Sequence, residues 1–156
     1  MGAVPGALVI RTDDIRKRLC GVPSLARLGP AGYTPELSRR VYATAVERAG
    51  MVAAAGHGAI VDAVFARPSD RAAIEEVAAA AAVPFVGLWL DAPPAVLIER
   101  AKQRRFDPSD ADAEVIHAQR AQDTGPIGWH RIDASPDPGA VLQQVTTLLD
   151  DLTIDR

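Results

Sequence analysis

A chain of 156 residues, 48% apolar and with a formal net charge of −3, is long enough for one domain with a proper core. It lacks the basic footprint of a nucleic-acid binder, and an aromatic content of 4% limits any reading built on base stacking. The single cysteine, Cys20, rules out an internal disulfide or a cysteine-based zinc site, and no apolar run approaches the ~20 residues that span a bilayer. The opening Met1-Gly2-Ala3-Val4-Pro5-Gly6 has neither the basic nor the apolar stretch of a signal peptide, so a cytoplasmic protein is expected.

Short apolar runs alternate with longer amphipathic ones, which predicts an α/β protein with a parallel sheet covered by helices. Ala7 to Arg11 is the first strand and Asp14 to Leu19 a short helix. A Gly- and Pro-rich loop from Gly21 to Tyr33 follows, long enough to serve as a lid or binding segment. Thr34-Pro35-Glu36 is a strong helix start: a capping hydroxyl, a proline and an acid in the first turn. Leu37, Val41, Ala45, Ala49 and Val52 recur at helical spacing, and Gly56 closes that helix.

Ala59 to Val64 is the second strand, and Ser69 is expected to cap a helix that ends at Pro84. Phe85 to Leu90 is the third strand, the most apolar and by that token the most buried. Pro93-Pro94 opens a helix to Arg104, another runs from about Asp110, and Gly125-Pro126 breaks it. Trp129 to Asp133 is the fourth strand, and Pro138 starts the last helix.

Ligands of open parallel sheets sit beyond the carboxyl ends of the strands, which singles out Asp13, Asp62 and Asp91. In Thr12-Asp13-Asp14-Ile15-Arg16, a carboxylate at a strand tip can take a proton from a hydroxyl while Arg16 holds an acidic group. The same residues read equally as a helix cap with an arginine paired on the surface. Asp62, after Ala59-Ile60-Val61, can hold Mg²⁺ or its waters, or simply accept backbone N–H bonds at a loop start. Arg67 can reach the same crevice or lie solvated.

Arg100-Ala101-Lys102-Gln103-Arg104-Arg105, leading into Asp107-Pro108-Ser109-Asp110, has the character of a lid. Arg100 and Arg104 share a helix face, and their planar forks suit phosphate oxygens. His57, His117 and His130 have no metal-ligand spacing. Gly56-His57-Gly58 precedes a strand and opens no helix, the wrong context for anion binding.

In this order, the segments Thr12-Asp13 to Arg16-Lys17, Val61-Asp62-Ala63-Val64-Phe65, Arg104-Arg105 through Asp107 to Ser109-Asp110-Ala111, and Trp129 to Ser135 resemble the P-loop kinase group. That group includes gluconate-kinase-like, chloramphenicol-phosphotransferase-like and zeta-toxin-like proteins. The likeness is greatest to a bacterial family of AAA-type ATPases or predicted kinases, often fused behind an aminoglycoside-phosphotransferase-like domain. The resemblance implies a P-loop NTPase-like parallel sheet with flanking helices, and ATP-dependent phosphorylation of a small-molecule hydroxyl with Mg²⁺.

It further implies that Asp13 faces the acceptor hydroxyl, that Arg16 and Arg67 contact substrate, and that Arg104 and Arg105 neutralise the moving phosphate. Asp62 would serve the metal and nucleotide, and Asp133 and Ser135 would border the adenine. One departure stands out: no Gly-x-x-x-x-Gly-Lys-Ser/Thr segment occurs in the sequence. The central first strand, its phosphate loop and the following helix are therefore expected to be missing, in a single domain truncated at its N-terminal side and inactive as it stands.

Strands lie ~4.8 Å apart, so loss of that strand leaves 59–64 and 85–90 roughly 10 Å apart. They are expected either to close on each other or to keep unpaired edges, and an extra strand from residues 1–6 between them would contradict this. Two other readings stand beside the kinase: a non-catalytic binding module derived from one, and an unrelated Rossmann-like domain. The absence of a Gly-x-Gly-x-x-Gly turn counts against the latter.

Overall fold

The computed structural model describes residues 6–154, and its chain condenses into two compact units. Among the described residues, the first comprises 6–85, 104–111 and 122–125; the second comprises 86–103, 112–121 and 126–154. In the first unit, β1 (Leu8–Arg11) leads directly into α1 (Thr12–Leu19), and the loop beyond ends in a turn of 3₁₀ helix at Pro30–Tyr33. Then come α2 (Pro35–Ala54), β2 (Ala59–Asp62) and α3 (Pro68–Ala80).

β1 and β2 pair in parallel, with Leu8 opposite Ala59 and Arg11 opposite Asp62, so a cation and an anion leave the strands side by side. The Thr34 hydroxyl accepts the Leu37 N–H at the start of α2, the cap expected there. α2 packs on β1, β2, α1 and α3, and buries Val41, Ala45 and Ala49, one residue per turn. Ile10, Ile15, Phe65, Ile74 and Ala78 complete this core. α3 begins two residues earlier than a Ser69 cap requires: its N-cap is Arg67, and Pro68 takes the first-turn position to which its fixed φ and missing N–H suit it.

In the second unit, β3 (Leu88–Asp91) pairs in parallel with β4 (His130–Asp133), and α4 (Pro94–Gln103), α5 (Ala113–Arg120) and α6 (Pro138–Ile154) accompany them. The Asp112 carboxylate caps α5 by accepting the Val115 N–H. Ala92, Ile116, Ile132 and Ala134 are its buried apolar residues. Gly87 is buried because the Trp129 ring lies where a side chain would begin: a Cβ there would meet Trp129 Cγ at 2.4 Å.

The third strand is only part-buried: Leu88 and Trp89 are half-buried and Leu90 is 58% exposed, and among the described residues β3 has a partner on one side only. Each sheet has two strands among the described residues, and 59–62 and 88–91 belong to different sheets. Residues 1–5, from which an extra strand was considered, lie outside the described residues. No helix among the described residues is long and apolar enough to cross a membrane.

Candidate functional site

The site grows from the carboxyl ends of β1 and β2. Register places Arg11 beside Asp62, and its Nε donates to Asp62 Oδ2 at 3.0 Å. Its other nitrogens reach Asp107 of the segment 104–111 at 3.2 to 3.4 Å. Partial burial opposes the Arg11 charge, but Asp107 and then Asp62 outweigh it and raise the pKa. Asp107 shows the converse: burial works against its charge, while the Ser109 N–H and Arg11 hold its carboxyl below the usual range. Thr12 donates its hydroxyl to the Asp62 carbonyl and ties the helix start to β2.

Asp13 lies in the first turn of α1, one residue past Thr12, and is not a cap; the N-cap is Arg11, without a side-chain cap bond. Burial raises the Asp13 pKa, against the pull of Arg11 and Arg16, and with the support of Asp62 and Asp110. Its carboxylate accepts no hydrogen bond from a described residue, which leaves its oxygens available to an incoming hydroxyl.

Arg16 is 8% exposed and its fork serves the protein: Nη1 donates to the Gly32 carbonyl at 2.9 Å and the Ser38 hydroxyl at 3.3 Å. The guanidinium also lies 4.8 Å from the Tyr33 ring centroid. Lys17, 1% exposed, donates to Asp110 Oδ1 at 2.7 Å and to the Ala26 carbonyl. Asp110 Oδ2 takes the Tyr33 hydroxyl at 2.6 Å and the Leu28 N–H at 3.0 Å. Burial opposes the Asp110 charge, yet Lys17, Tyr33 and Leu28 lower its pKa, whereas burial and then Asp110 push the Tyr33 phenol up. Segment 104–111 is thus fastened to its own unit by two carboxylates, with Arg104 and Arg105 exposed beside them.

The remaining expected residues fall elsewhere. Arg67 holds Asp70 through two bonds, at 2.8 and 3.1 Å, and stands 5.6 Å from the Tyr42 ring centroid. It borders a cavity of about 430 Å³ between α2 and α3, with Arg39, Tyr42 and Val46. Asp133 and Ser135 belong to the second unit, where Asp133 accepts the Ser135 N–H at 2.8 Å. Hydrogen bonds from the Ser135 hydroxyl and N–H lower the Asp133 pKa. Arg100, expected to face phosphate, instead donates to the carbonyls of Ala134, Ser135 and Pro136 and fixes that turn. A groove of about 700 Å³ between β4 and α6 contains neither Asp133 nor Ser135.

Sequence reasoning assigned no role to Arg11, Lys17, Tyr33 or Arg71. Arg71, 4% exposed, donates to the carbonyls of Phe65, Ala66 and Thr124, and the Phe65 N–H donates to the Tyr42 hydroxyl. These contacts hold Phe65 at φ 47°, a backbone state costly for a bulky side chain, in the turn after β2.

The described residues do not fit nucleotide phosphates. α1 follows β1 without a glycine loop, and Asp13 and Asp14 in its first turn repel an anion at the helix start. Asp62 is engaged by Arg11, and no group of three His, Cys, Asp or Glu among the described residues is placed to hold a metal.

Parallel strands, flanking helices and an acid-bearing helix at a strand tip define a chain with the α/β fold of P-loop kinases. A gluconokinase from Sinorhizobium meliloti 1021 superposes with a TM-score of 0.63 at 18% identity, covering 96% of this chain and 82% of that one. A sugar kinase from Janibacter sp. HTCC2649 gives 0.61 at 19% identity, covering 92% and 80%. The protein belongs to the AAA domain family, whose model matches residues 1–126. Uncharacterized proteins of Mycobacterium tuberculosis (strain ATCC 25618 / H37Rv) and Mycobacterium bovis are 33% identical over 136 residues, 83% of this chain. The chain spans 27% of the length of those relatives.

Proposed function

We propose that residues 1–156 carry the acceptor side and the lid of a kinase-type domain that phosphorylates a hydroxyl of a small molecule, with ATP and Mg²⁺ as in kinases of this fold. The observation that carries this reading is Asp13: a half-buried carboxylate at the tip of β1, with raised pKa and no hydrogen bond from a described residue. Such a group accepts the proton of an attacking hydroxyl once ionised, and its raised pKa makes it a better base. Arg11 and Arg16 on either side of it in sequence favour the ionised form. Arg104 and Arg105, exposed on the docked segment, supply positive charge for a transferring group.

The phosphate-holding parts are not among residues 1–156, so the chain by itself is expected to be inactive. The test is transfer of radiolabelled phosphate from ATP to a panel of sugars, sugar acids and amino sugars. It is run on residues 1–156 and on the same chain preceded by a strand, Gly-x-x-x-x-Gly-Lys-Ser loop and helix. Transfer only by the extended chain, and its loss in Asp13→Asn, supports the reading. Two folded proteins that bind an acceptor and transfer nothing would establish the alternative, a non-catalytic binding module. That alternative draws on the Arg11–Asp62 pair, which occupies the carboxylate expected to serve Mg²⁺.

A further inference from the structure

We propose that Asp110 is a positioning residue that joins the loop 21–33 to the segment 104–111, so that the two order as one body. The proposal rests on the acceptor-and-lid reading above for its functional meaning, though not for its geometry. Three donors converge on this one carboxylate: Lys17 Nζ, the Tyr33 hydroxyl and the Leu28 N–H. They lie 77 to 93 residues away in sequence, and two of them belong to the loop itself. Lys17 passes the constraint on, because the same ammonium also donates to the Ala26 carbonyl in the middle of the loop.

Besides these bonds, the end of the loop is held by Arg16, which donates to the Gly32 carbonyl and lies 4.8 Å from the Tyr33 ring centroid. The loop's internal backbone bonds are short-range turns, such as Ala26 to Pro23 and Gly32 to Gly29, and its regular structure is confined to Pro30–Tyr33. On the other side, Phe106 is 89% exposed at φ 55°, so the residues just before Asp107 contribute little packing. Asp107 grips β1 through Arg11 and accepts no hydrogen bond from a described residue of the loop. The two carboxylates of the segment therefore have separable duties: Asp107 docks it, and Asp110 couples it to the residues that would surround an acceptor. An acceptor that orders the loop would bring Arg104 and Arg105 into position in the same step, through Asp110.

Amide hydrogen exchange by mass spectrometry on the 156-residue chain separates these duties without needing turnover. In Asp110→Asn, exchange should rise together in peptides covering 21–33 and 104–111, by about tenfold or more. In Asp107→Asn it should rise in 104–111 alone. Tyr33→Phe removes one donor and leaves the Lys17 pair, so it reads the same coupling at lower cost to the fold, and Asp110→Glu should restore part of the protection. Peptides over β3 and β4 are the internal reference. The proposal is overturned if 21–33 keeps its protection in Asp110→Asn, or if Asp107→Asn loosens both segments alike. Should the extended chain acquire transferase activity, Asp110→Asn should raise the acceptor KM more than it lowers kcat. Coupled exchange without any transfer would refute the kinase reading and leave this inference standing.

Discussion

Asp13, proposed above to take the acceptor proton, works against the fold at neutral pH. Its folded pKa lies above the ordinary carboxylate value, with burial the leading cause. Between the unfolded and folded values the native state therefore binds more protons, so stability is greatest below that window and falls as pH rises through it. Asp13→Asn removes the charge and keeps the shape. It should raise the melting temperature near pH 7, with the advantage fading below about pH 4, while lowering transfer by the loop-extended chain ~10²–10⁴-fold. Melts across pH 3.5 to 8 read the first effect; no stabilisation at neutral pH would remove the basis for the raised pKa. Asp107 and Asp110 have the opposite sign: their depressed pKa values make them stabilising above the unfolded value, and that contribution is lost only as pH falls through the folded one. Asp13 was legible as a carboxylate at a strand tip, whereas Arg16, expected to contact substrate, has its guanidinium taken by the Gly32 carbonyl and the Ser38 hydroxyl. Lys17 was not legible, since nothing in Arg16-Lys17-Arg18 says which cation is buried; the choice is made by an aspartate 93 residues away.

Among the elements, two glycines of opposite consequence test how firmly each unit is packed. Gly87 precedes β3 with the Trp129 ring against it, so Gly87→Ala forces an aromatic side chain to move and should cost about 1–3 kcal/mol. Gly50 lies within α2 with only Val77 Cγ1 at 3.6 Å from a Cβ there, an ordinary contact. Gly50→Ala should then stabilise by about 0.5–1 kcal/mol through helix propensity. Urea unfolding of the two variants gives both signs in one experiment, and a destabilised Gly50→Ala would mean that α2 has no room against α3. The Lys17–Asp110 tie makes a stronger demand on α1: Asp110→Ala leaves an ammonium buried without its counterion, which should cost about 3–5 kcal/mol. Replacing both partners, as Lys17→Met with Asp110→Leu, should recover most of that loss. Helix positions were read closely from capping and periodicity, as Thr34 and the Val41, Ala45, Ala49 series show. β3 is less buried than its apolar run suggests, because such a run reports affinity for a core, not the number of strands that will flank it.

For the whole molecule, the governing fact is a division of labour between what these residues contain and what a phosphoryl donor needs. Parallel strands are normally covered on both faces and flanked by others, yet here each sheet has two strands among the described residues, with Leu8, Val9, Ile60 and Leu90 all more than 40% exposed. The same sequence lacks the glycine loop whose amides cradle phosphates, and α1 starts with two acids where an anion would have to sit. Coulomb repulsion from Asp13 and Asp14 and the absence of an amide cradle act in one direction. Residues 1–156 should therefore bind ATP no more tightly than ~1 mM, equivalent to about −4 kcal/mol, with or without Mg²⁺. Isothermal titration calorimetry measures this directly, and a dissociation constant in the micromolar range would show that the chain holds phosphates by a route these residues do not display. Asp13→Asn with Asp14→Asn supplies the control: if acidic repulsion matters, weak ATP binding should strengthen severalfold in the double variant. If it does not, the missing cradle alone accounts for the weakness, and only the strand–loop–helix extension should restore affinity.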